Sequence, residues 1–392
     1  MKNQEDTVGV EEELFPTYKR WDVTFAKAED TTITDTNGNT YQDFMAGIGV
    51  VNLGHSHPAV VQAVEKQLHE GWHASNFFHY NQQQEAAHLL TSHSCGDLVF
   101  FANSGAEANE AAIKLARKHT GRKKIISFVQ SFHGRTFGSM AATGQTAVQE
   151  GFGPMPEGFV RLPFNDVSEL EKAIDEDTAA VMIEMVQGEG GVRPADKAFV
   201  KAVVEQVEGS GALLVCDEIQ TGIGRTGTFF AHEQYGIEPD IITSAKGLGN
   251  GFPVGAMIGK LFLKESFGPG SHGTTFGGNP LAMAAVTATL RTLFEERQME
   301  AAAAKGERFL NELDQELRPL PVVQDVRGMG MMAGVELTES SAPVIKELRD
   351  KGMLVIGAGP NVIRMLPPLT MKEETLLKGV QNIKEALSSI QS

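Results

Sequence analysis

Six short runs of apolar, β-branched or aromatic residues, continuous rather than alternating, constrain this chain more than any other feature. They are Leu98–Ala102, Lys124–Gln130, Ala179–Val186, Ala212–Glu218, Asp240–Ala245 and Val254–Gly259. A strand with one wet face alternates apolar and polar residues, whereas a continuous apolar strand is buried on both faces. Between several runs lie amphipathic helical patterns. Ala106–Thr120 puts Ala108, Ala111, Ala112, Leu115 and Ala116 on one stripe, and Asp196–Glu208 behaves likewise. Strands alternating with helices predict an α/β fold, with a mainly parallel sheet covered by helices on both faces.

This large domain is expected over residues 51–289. From Pro280 the pattern turns helical and then gives strands at Gly334–Leu337, Met353–Ile356 and Val362–Met365. That stretch reads as a smaller α+β domain over residues 290–392, joined by an N-terminal segment of residues 1–50. No apolar run approaches the roughly 18 residues of a membrane span. The opening MKNQEDTVGVEEEL is polar and acidic, without the basic-then-apolar order of a signal peptide. A cytoplasmic protein is expected. Its net charge of −16, from 34 basic and 50 acidic residues, repels nucleic acid and anionic lipid. A carboxylate ligand would therefore need a few local arginines. Cys95 and Cys216 form no CxxC pair and are expected to pack as small buried hydrophobes in a reducing compartment.

Two motifs invite other chemistry. His69-Glu70-Gly71-Trp72-His73 spells HExxH, which binds zinc only when both histidines share one helical face. Gly71 reads as the stop of the amphipathic helix Pro58–Glu70, so His73 leaves that face and no metal site is expected. Gly222-Ile223-Gly224-Arg225-Thr226-Gly227 spells GxGxxG, but a dinucleotide site needs a crossover helix opening at those glycines. After Gly227 comes only a short aromatic stretch closed by Pro239.

Four sites at strand ends fit one cofactor instead. After Leu98–Ala102 comes Asn103-Ser104-Gly105-Ala106-Glu107, in which Ser104 and Glu107 have capping-box spacing and small residues open the helix. Exposed amides at a helix N-terminus make a phosphate site, although an ordinary capped helix has the same sequence. After Lys124–Gln130 comes Ser131-Phe132-His133-Gly134-Arg135, where an aromatic ring can cover a planar ligand and an arginine can fork onto a carboxylate. Asp217 ends a strongly apolar strand, and burying its carboxylate is costly without a cationic partner such as a protonated pyridine. Lys246 lies between an apolar strand and a glycine loop, where desolvation lowers the amine's pKa and suits Schiff-base chemistry.

Taken together these stretches resemble the class III, ω-type aminotransferases that bind pyridoxal 5′-phosphate. The likeness runs from Leu53-Gly54-His55 to Arg364–Leu369. It rests on NSGAEANEAAIKLAR at Asn103–Arg117, SFHGRTFG at Ser131–Gly138 and GFGPMPEGFVRLPFND at Gly151–Asp166. QGEGGV at Gln187–Val192, DEIQTGIGRTG at Asp217–Gly227 and GSHGTTFGGNPLA at Gly270–Ala282 complete it. The resemblance implies pyridoxal-phosphate fold type I, with a seven-stranded sheet, and a homodimer with active sites at the subunit interface.

The resemblance also implies roles, position by position. Lys246 would be the Schiff-base lysine and proton shuttle, Asp217 the partner of the pyridinium nitrogen, and Gln220 that of the ring hydroxyl. Phe132 would stack on the ring, and Gly105 and Ala106 would hold the phosphate. Thr275 would reach that phosphate from the other subunit, with Thr274 at the substrate. Arg135 would bind the substrate carboxylate, and Glu189 with Arg364 would form a gate for the second one. The implied substrates are N2-acetyl-L-ornithine and 2-oxoglutarate, with L-glutamate as a product, in arginine biosynthesis. Other ω-amine donors are the alternatives: succinylornithine, N-succinyl-diaminopimelate, 4-aminobutyrate or ornithine. An aminomutase or decarboxylase on the same fold is a further one. Ile48 falls where ornithine δ-aminotransferases resemble one another in carrying a tyrosine, and an apolar residue there suits an acylated α-amine. By family resemblance 4-aminobutyrate aminotransferases also carry Ile there, so the residue argues against free ornithine and not against 4-aminobutyrate. Met185 departs from the proline usual at its position.

Overall fold

The computed structural model describes residues 13–390; the acidic opening through Glu12 lies outside them. At its centre is a seven-stranded sheet. In chain order its strands are β1 (Leu98–Ala102), β2 (Lys124–Phe128), β3 (Phe159–Leu162), β4 (Thr178–Ile183), β5 (Leu213–Asp217), β6 (Ile241–Ser244) and β7 (Gly255–Gly259). Across the sheet the order is β1-β7-β6-β5-β4-β2-β3. Only β7 runs against the rest, pairing antiparallel with both β6 and β1. The mainly parallel sheet expected from the sequence is present.

Alternate residues of the sheet enter two different cores. Ile125, Ala180, Met182, Leu213, Val215 and Ile241 join Ala111, Ala112 and Leu115 of the helix Gly105–Thr120. Ile126, Val181, Ile183, Leu214 and Cys216 pack on Phe199, Val200, Val203 and Val207 of the helix Lys197–Ser210. Both faces are dry, which is why the strands read as unbroken apolar runs.

Several boundaries differ from the sequence reading, three of them for a visible reason. β2 stops at Phe128 because Gln130 takes a left-handed φ of 69°. The run Ala179–Val186 is interrupted after Ile183, where the Glu184 carboxylate turns to accept the Phe132 amide. The run Met353–Ile356 splits between two sheets. Met353–Leu354 pairs in parallel with Thr40–Asp43, whereas Ile356–Gly357 pairs with Val362–Met365. The first pairing ties the N-terminal strands Phe25–Glu29, Thr32–Asp35 and Thr40–Asp43 to the C-terminal part of the chain. The edge strand β3 carries an exposed Arg161 and lacks the continuous apolar character of the others. Cys216 is buried as expected, but Cys95 is only half-buried, with its sulfur beside His232 and the Pro239 carbonyl.

The helix Pro58–Glu70 ends at Gly71, whose φ of 117° is open to glycine and strained for other residues. His73 is therefore off the helix, beside Phe276. Behind Gly222–Gly227 there is no crossover helix, only a short 3-10 turn at Ala231–Tyr235.

Candidate active site

In an open α/β sheet, ligands bind beyond the carboxyl ends of the strands. A cavity of about 460 Å³ lies there, lined by residues that come after β1, β2, β4, β5 and β6. Gly105, Ala106, Phe132, Arg135, Glu189, Asp217, Gln220 and Lys246 all contribute to its wall. The fold thus brings eight of the eleven singled-out residues to one space. Arg364 stands just behind Glu189. Thr274 and Thr275 lie outside the cavity; Thr274 takes a hydrogen bond from Asn103 at 3.2 Å and Thr275 is exposed.

The first wall is the start of the helix Gly105–Thr120. The Ser104 hydroxyl accepts the Glu107 amide at 3.2 Å, as the capping spacing requires. Glu107 reaches back one residue further than a standard capping box, to the Asn103 amide at 2.8 Å. The first helical bond is from Ala108 N–H to Ser104, so the amides of Gly105 and Ala106 precede every intrahelical acceptor. A Cβ on Gly105 would lie 2.7 Å from Ile219 Cδ1, so only glycine lets the turn after β5 pack this close.

Asp217 is buried at the end of β5. Its Oδ2 lies 2.7 Å from His133 Nδ1 and 2.8 Å from Asn109 Nδ2, and Oδ1 accepts the Ile219 amide at 3.1 Å. Burial disfavours the charged imidazole of His133, but the Asp217 carboxylate outweighs it, and the net shift of its pKa is upward. Glu184, also in the wall, is pushed up to about 8 by burial. Neither His133, Asn109 nor Glu184 stood out in the sequence. Their partners lie far away in the chain, and no local pattern marks them.

Lys246 opens a short 3-10 turn with a left-handed φ of 45°. Burial lowers its pKa, against the pull of Glu189 and Asp217. The loop is backed by Asn52, whose side-chain amide would collide with a Cβ on Gly247. Asn52 in turn accepts from Arg225 Nη2 at 2.6 Å. The fully buried Arg225 guanidinium also donates to the carbonyls of Met331 and Pro367. GIGRTG is therefore a structural clasp between the Lys246 loop and the C-terminal sheet.

Glu189 and Arg364 form a two-pronged pair, Nη1–Oε1 at 2.7 Å and Nη2–Oε2 at 3.1 Å. Burial raises the Glu189 pKa, but Arg364 overrides it and holds the carboxyl below its ordinary range. Gln220 is a third member of this pair's network, a place that sequence reasoning missed. It accepts from Arg364 at 3.0 Å and donates to Glu189 at 3.3 Å. Arg135 is exposed at the mouth, 5.6 Å from the Phe132 ring centroid. Met185 is buried, and its carbonyl accepts the Ala195 amide at 2.9 Å. Ile48 is partly exposed and left-handed at φ 69°, between Gly47 and Gly49 with the same sign.

A cavity with amides at a helix start, a buried carboxylate, an aromatic face and a desolvated lysine fits pyridoxal phosphate. The chain belongs to the class-III aminotransferases, whose family pattern matches residues 16–387, and it is a pyridoxal-phosphate-dependent transaminase. Among curated proteins it is similar to the acetylornithine aminotransferase of Bacillus subtilis, 57% identical over 96% of this chain and 97% of that one. Among solved structures it superposes on the ornithine aminotransferase of Toxoplasma gondii with a TM-score of 0.93 at 31% identity, covering 96% and 93% of the two chains. It superposes on the N-acetylornithine aminotransferase of Stenotrophomonas maltophilia with a TM-score of 0.82 at 36% identity, covering 95% and 98%.

Proposed function

We propose that this chain transfers the δ-amino group of N2-acetyl-L-ornithine to 2-oxoglutarate, giving N-acetyl-L-glutamate 5-semialdehyde and L-glutamate, the step expected in arginine biosynthesis. The observation that carries the reading is the asymmetric pair of arginines. Arg135 stands exposed at the cavity mouth, and no carboxylate pairs with it among the described residues, whereas Arg364 is covered by Glu189. A transaminase must accept a donor with one carboxylate near the site and then an acceptor with two. A second arginine that is uncovered only on demand meets that need. The donor is supported by the 57% identity to a protein named acetylornithine aminotransferase, while Ile48, which is not among the residues lining the cavity, argues against free ornithine alone.

Bound pyridoxal phosphate supplies an electron sink for the pair left behind when the reacting carbon loses a proton. The amides of Gly105 and Ala106 would hold its phosphate, Phe132 would cover the ring, and Asp217 and Gln220 would face the ring nitrogen and hydroxyl. Lys246 would anchor the group. Its Nζ, with the pKa lowered by burial, would take the proton from the reacting carbon and return it at the neighbouring position. Arg135 would orient the donor by its α-carboxylate. Thr274, which lies outside this chain's own cavity, would stand beside the substrate only in the second copy's site, as for Thr275.

We read residues 51–289 as the large cofactor-binding domain and residues 290–392, with the N-terminal 1–50, as the smaller one. The working unit is a homodimer in the cytoplasm. Phe77, at 97% exposure, with Trp72, Phe78 and Phe276, makes an apolar surface that a second copy would cover. Asn76 binds the carbonyls of Thr274 and Gly277, so Thr275 belongs to that same surface and could reach the second copy's phosphate.

The test is the visible spectrum of the purified protein with pyridoxal phosphate. The cofactor band should bleach on adding N2-acetyl-L-ornithine and return with 2-oxoglutarate. A band bleached only by 4-aminobutyrate, succinylornithine or free ornithine would replace the donor. Absence of any band would overturn the assignment of Lys246 and Asp217.

A further inference from the structure

Asp217 is held by a chain of contacts that begins on the neighbouring strand. In the parallel register of β5 and β6, Asp217 lies opposite Thr243. The Thr243 hydroxyl does not bond Asp217 itself. It donates to Asn109 Oδ1 at 2.7 Å, and Asn109 Nδ2 then donates to Asp217 Oδ2 at 2.8 Å and to the His133 carbonyl at 2.7 Å. All four residues are buried, with Asn109 and Thr243 at 0% exposure.

A side-chain amide can present either end, and the ends have opposite effects on a carboxylate. The NH2 group donates to it, while the oxygen repels its lone pairs. The Thr243 hydroxyl and the His133 carbonyl together remove that ambiguity: one donates to Oδ1 and the other accepts from Nδ2, so the NH2 end faces Asp217 and both ends of the amide are held. With that contact and His133, Oδ2 has two donors, while Oδ1 has only the Ile219 amide at 3.1 Å. The carboxylate is thereby fixed in orientation, with one oxygen less heavily engaged.

We infer that Thr243 and Asn109 are positioning residues that aim the Asp217 carboxylate at the cofactor ring nitrogen through a Thr243–Asn109–Asp217 relay. The inference rests on the proposed pairing of Asp217 with that nitrogen. Neither residue would touch cofactor or substrate. Without the Thr243 hydroxyl the amide keeps only its two donated bonds, to Asp217 and the His133 carbonyl, and its Oδ1 end is left unpaired. The donor to Oδ2 is then no longer held in line and weakens without any change in cavity shape.

The test compares holoenzymes of Thr243→Val, which keeps the side-chain volume, and Thr243→Ser, which keeps the hydroxyl. Each is loaded with cofactor labelled with 15N at the ring nitrogen, whose chemical shift reports its protonation. Thr243→Val should move that shift toward the unprotonated form and lower kcat on the order of tenfold, as expected for loss of a hydrogen bond to a charged group. KM for both substrates should stay within about twofold, since substrate binding is untouched. Thr243→Ser should restore both readouts. If Thr243→Val does not fold, Asn109→Ser removes the same donor and should give the same shift. A wild-type ring shift and kcat in the variant, or equal losses in Thr243→Val and Thr243→Ser, would overturn the relay. Asp217→Asn is the reference. If it leaves the ring shift unmoved, the assignment of Asp217 falls and the relay with it; a shift in Asp217→Asn alone sinks only the relay.

Discussion

Glu189 covers Arg364 with both carboxylate oxygens, and Gln220 bonds to each partner, so the gate we propose would be closed by three side chains rather than two. Glu189→Gln removes the charge but keeps the shape. Its main effect should fall on discrimination: the ratio of kcat/KM for N2-acetyl-L-ornithine over L-glutamate should change about tenfold, equivalent to about 1.4 kcal/mol. Proton transfer by Lys246 should be less affected. Equal losses with every donor would argue against a gate.

Gly105 is required by packing rather than by backbone freedom. A methyl group there would sit 2.7 to 3.0 Å from three carbons of Ile219. Gly105→Ala should push the helix start away from the turn after β5 and weaken cofactor binding on the order of tenfold. The double change with Ile219→Ala should recover much of that affinity, measured by titrating the apoprotein with pyridoxal phosphate. No recovery would mean that the steric account is wrong.

Glu184 connects the site to pH. Its ordinary value is 4.5, and burial pushes it up to about 8 in the folded protein. Between those values the folded chain binds more protons than the unfolded one, so this group lowers stability as pH rises. Thermal scans of Glu184→Gln should therefore show a flatter fall in Tm than wild type between about pH 5 and pH 8. His133, also shifted upward, acts with the same sign and remains in the variant. Parallel Tm profiles would refute the buried-acid reading of Glu184.

Arg225 serves stability. Its guanidinium satisfies Asn52 and the carbonyls of Met331 and Pro367, with no carboxylate among its bonded partners in the described residues. Arg225→Met leaves those acceptors buried and unpaired, which costs roughly 2–5 kcal/mol. Urea unfolding should show a lower midpoint with little change in m. A midpoint equal to wild type would mean that water takes over the contacts.

Lys246 and Asp217 are legible in the sequence because each closes a continuous apolar run, and a run that short, bounded by turn residues, reads as a strand buried on both faces. A charged residue at its end must lie where the sheet's ligand site lies. The helix Gly105–Thr120 is equally plain, since its stripe of alanines and its Ser104 cap are local features. The strand β3 is not, because an edge strand of four residues with an exposed arginine carries no such pattern.

Tertiary structure alone decides what surrounds those residues. Asn109 and His133 meet Asp217 across 108 and 84 positions of chain, and Gln220 meets Arg364 across 144. The split of Met353–Ile356 between two sheets is likewise set by partners as distant as Thr40–Asp43. Periodicity and capping depend on neighbours within a few residues, so they specify elements. Hydrogen bonds between buried polar groups depend on which strand ends the topology sets side by side, and that is written in no single stretch of sequence.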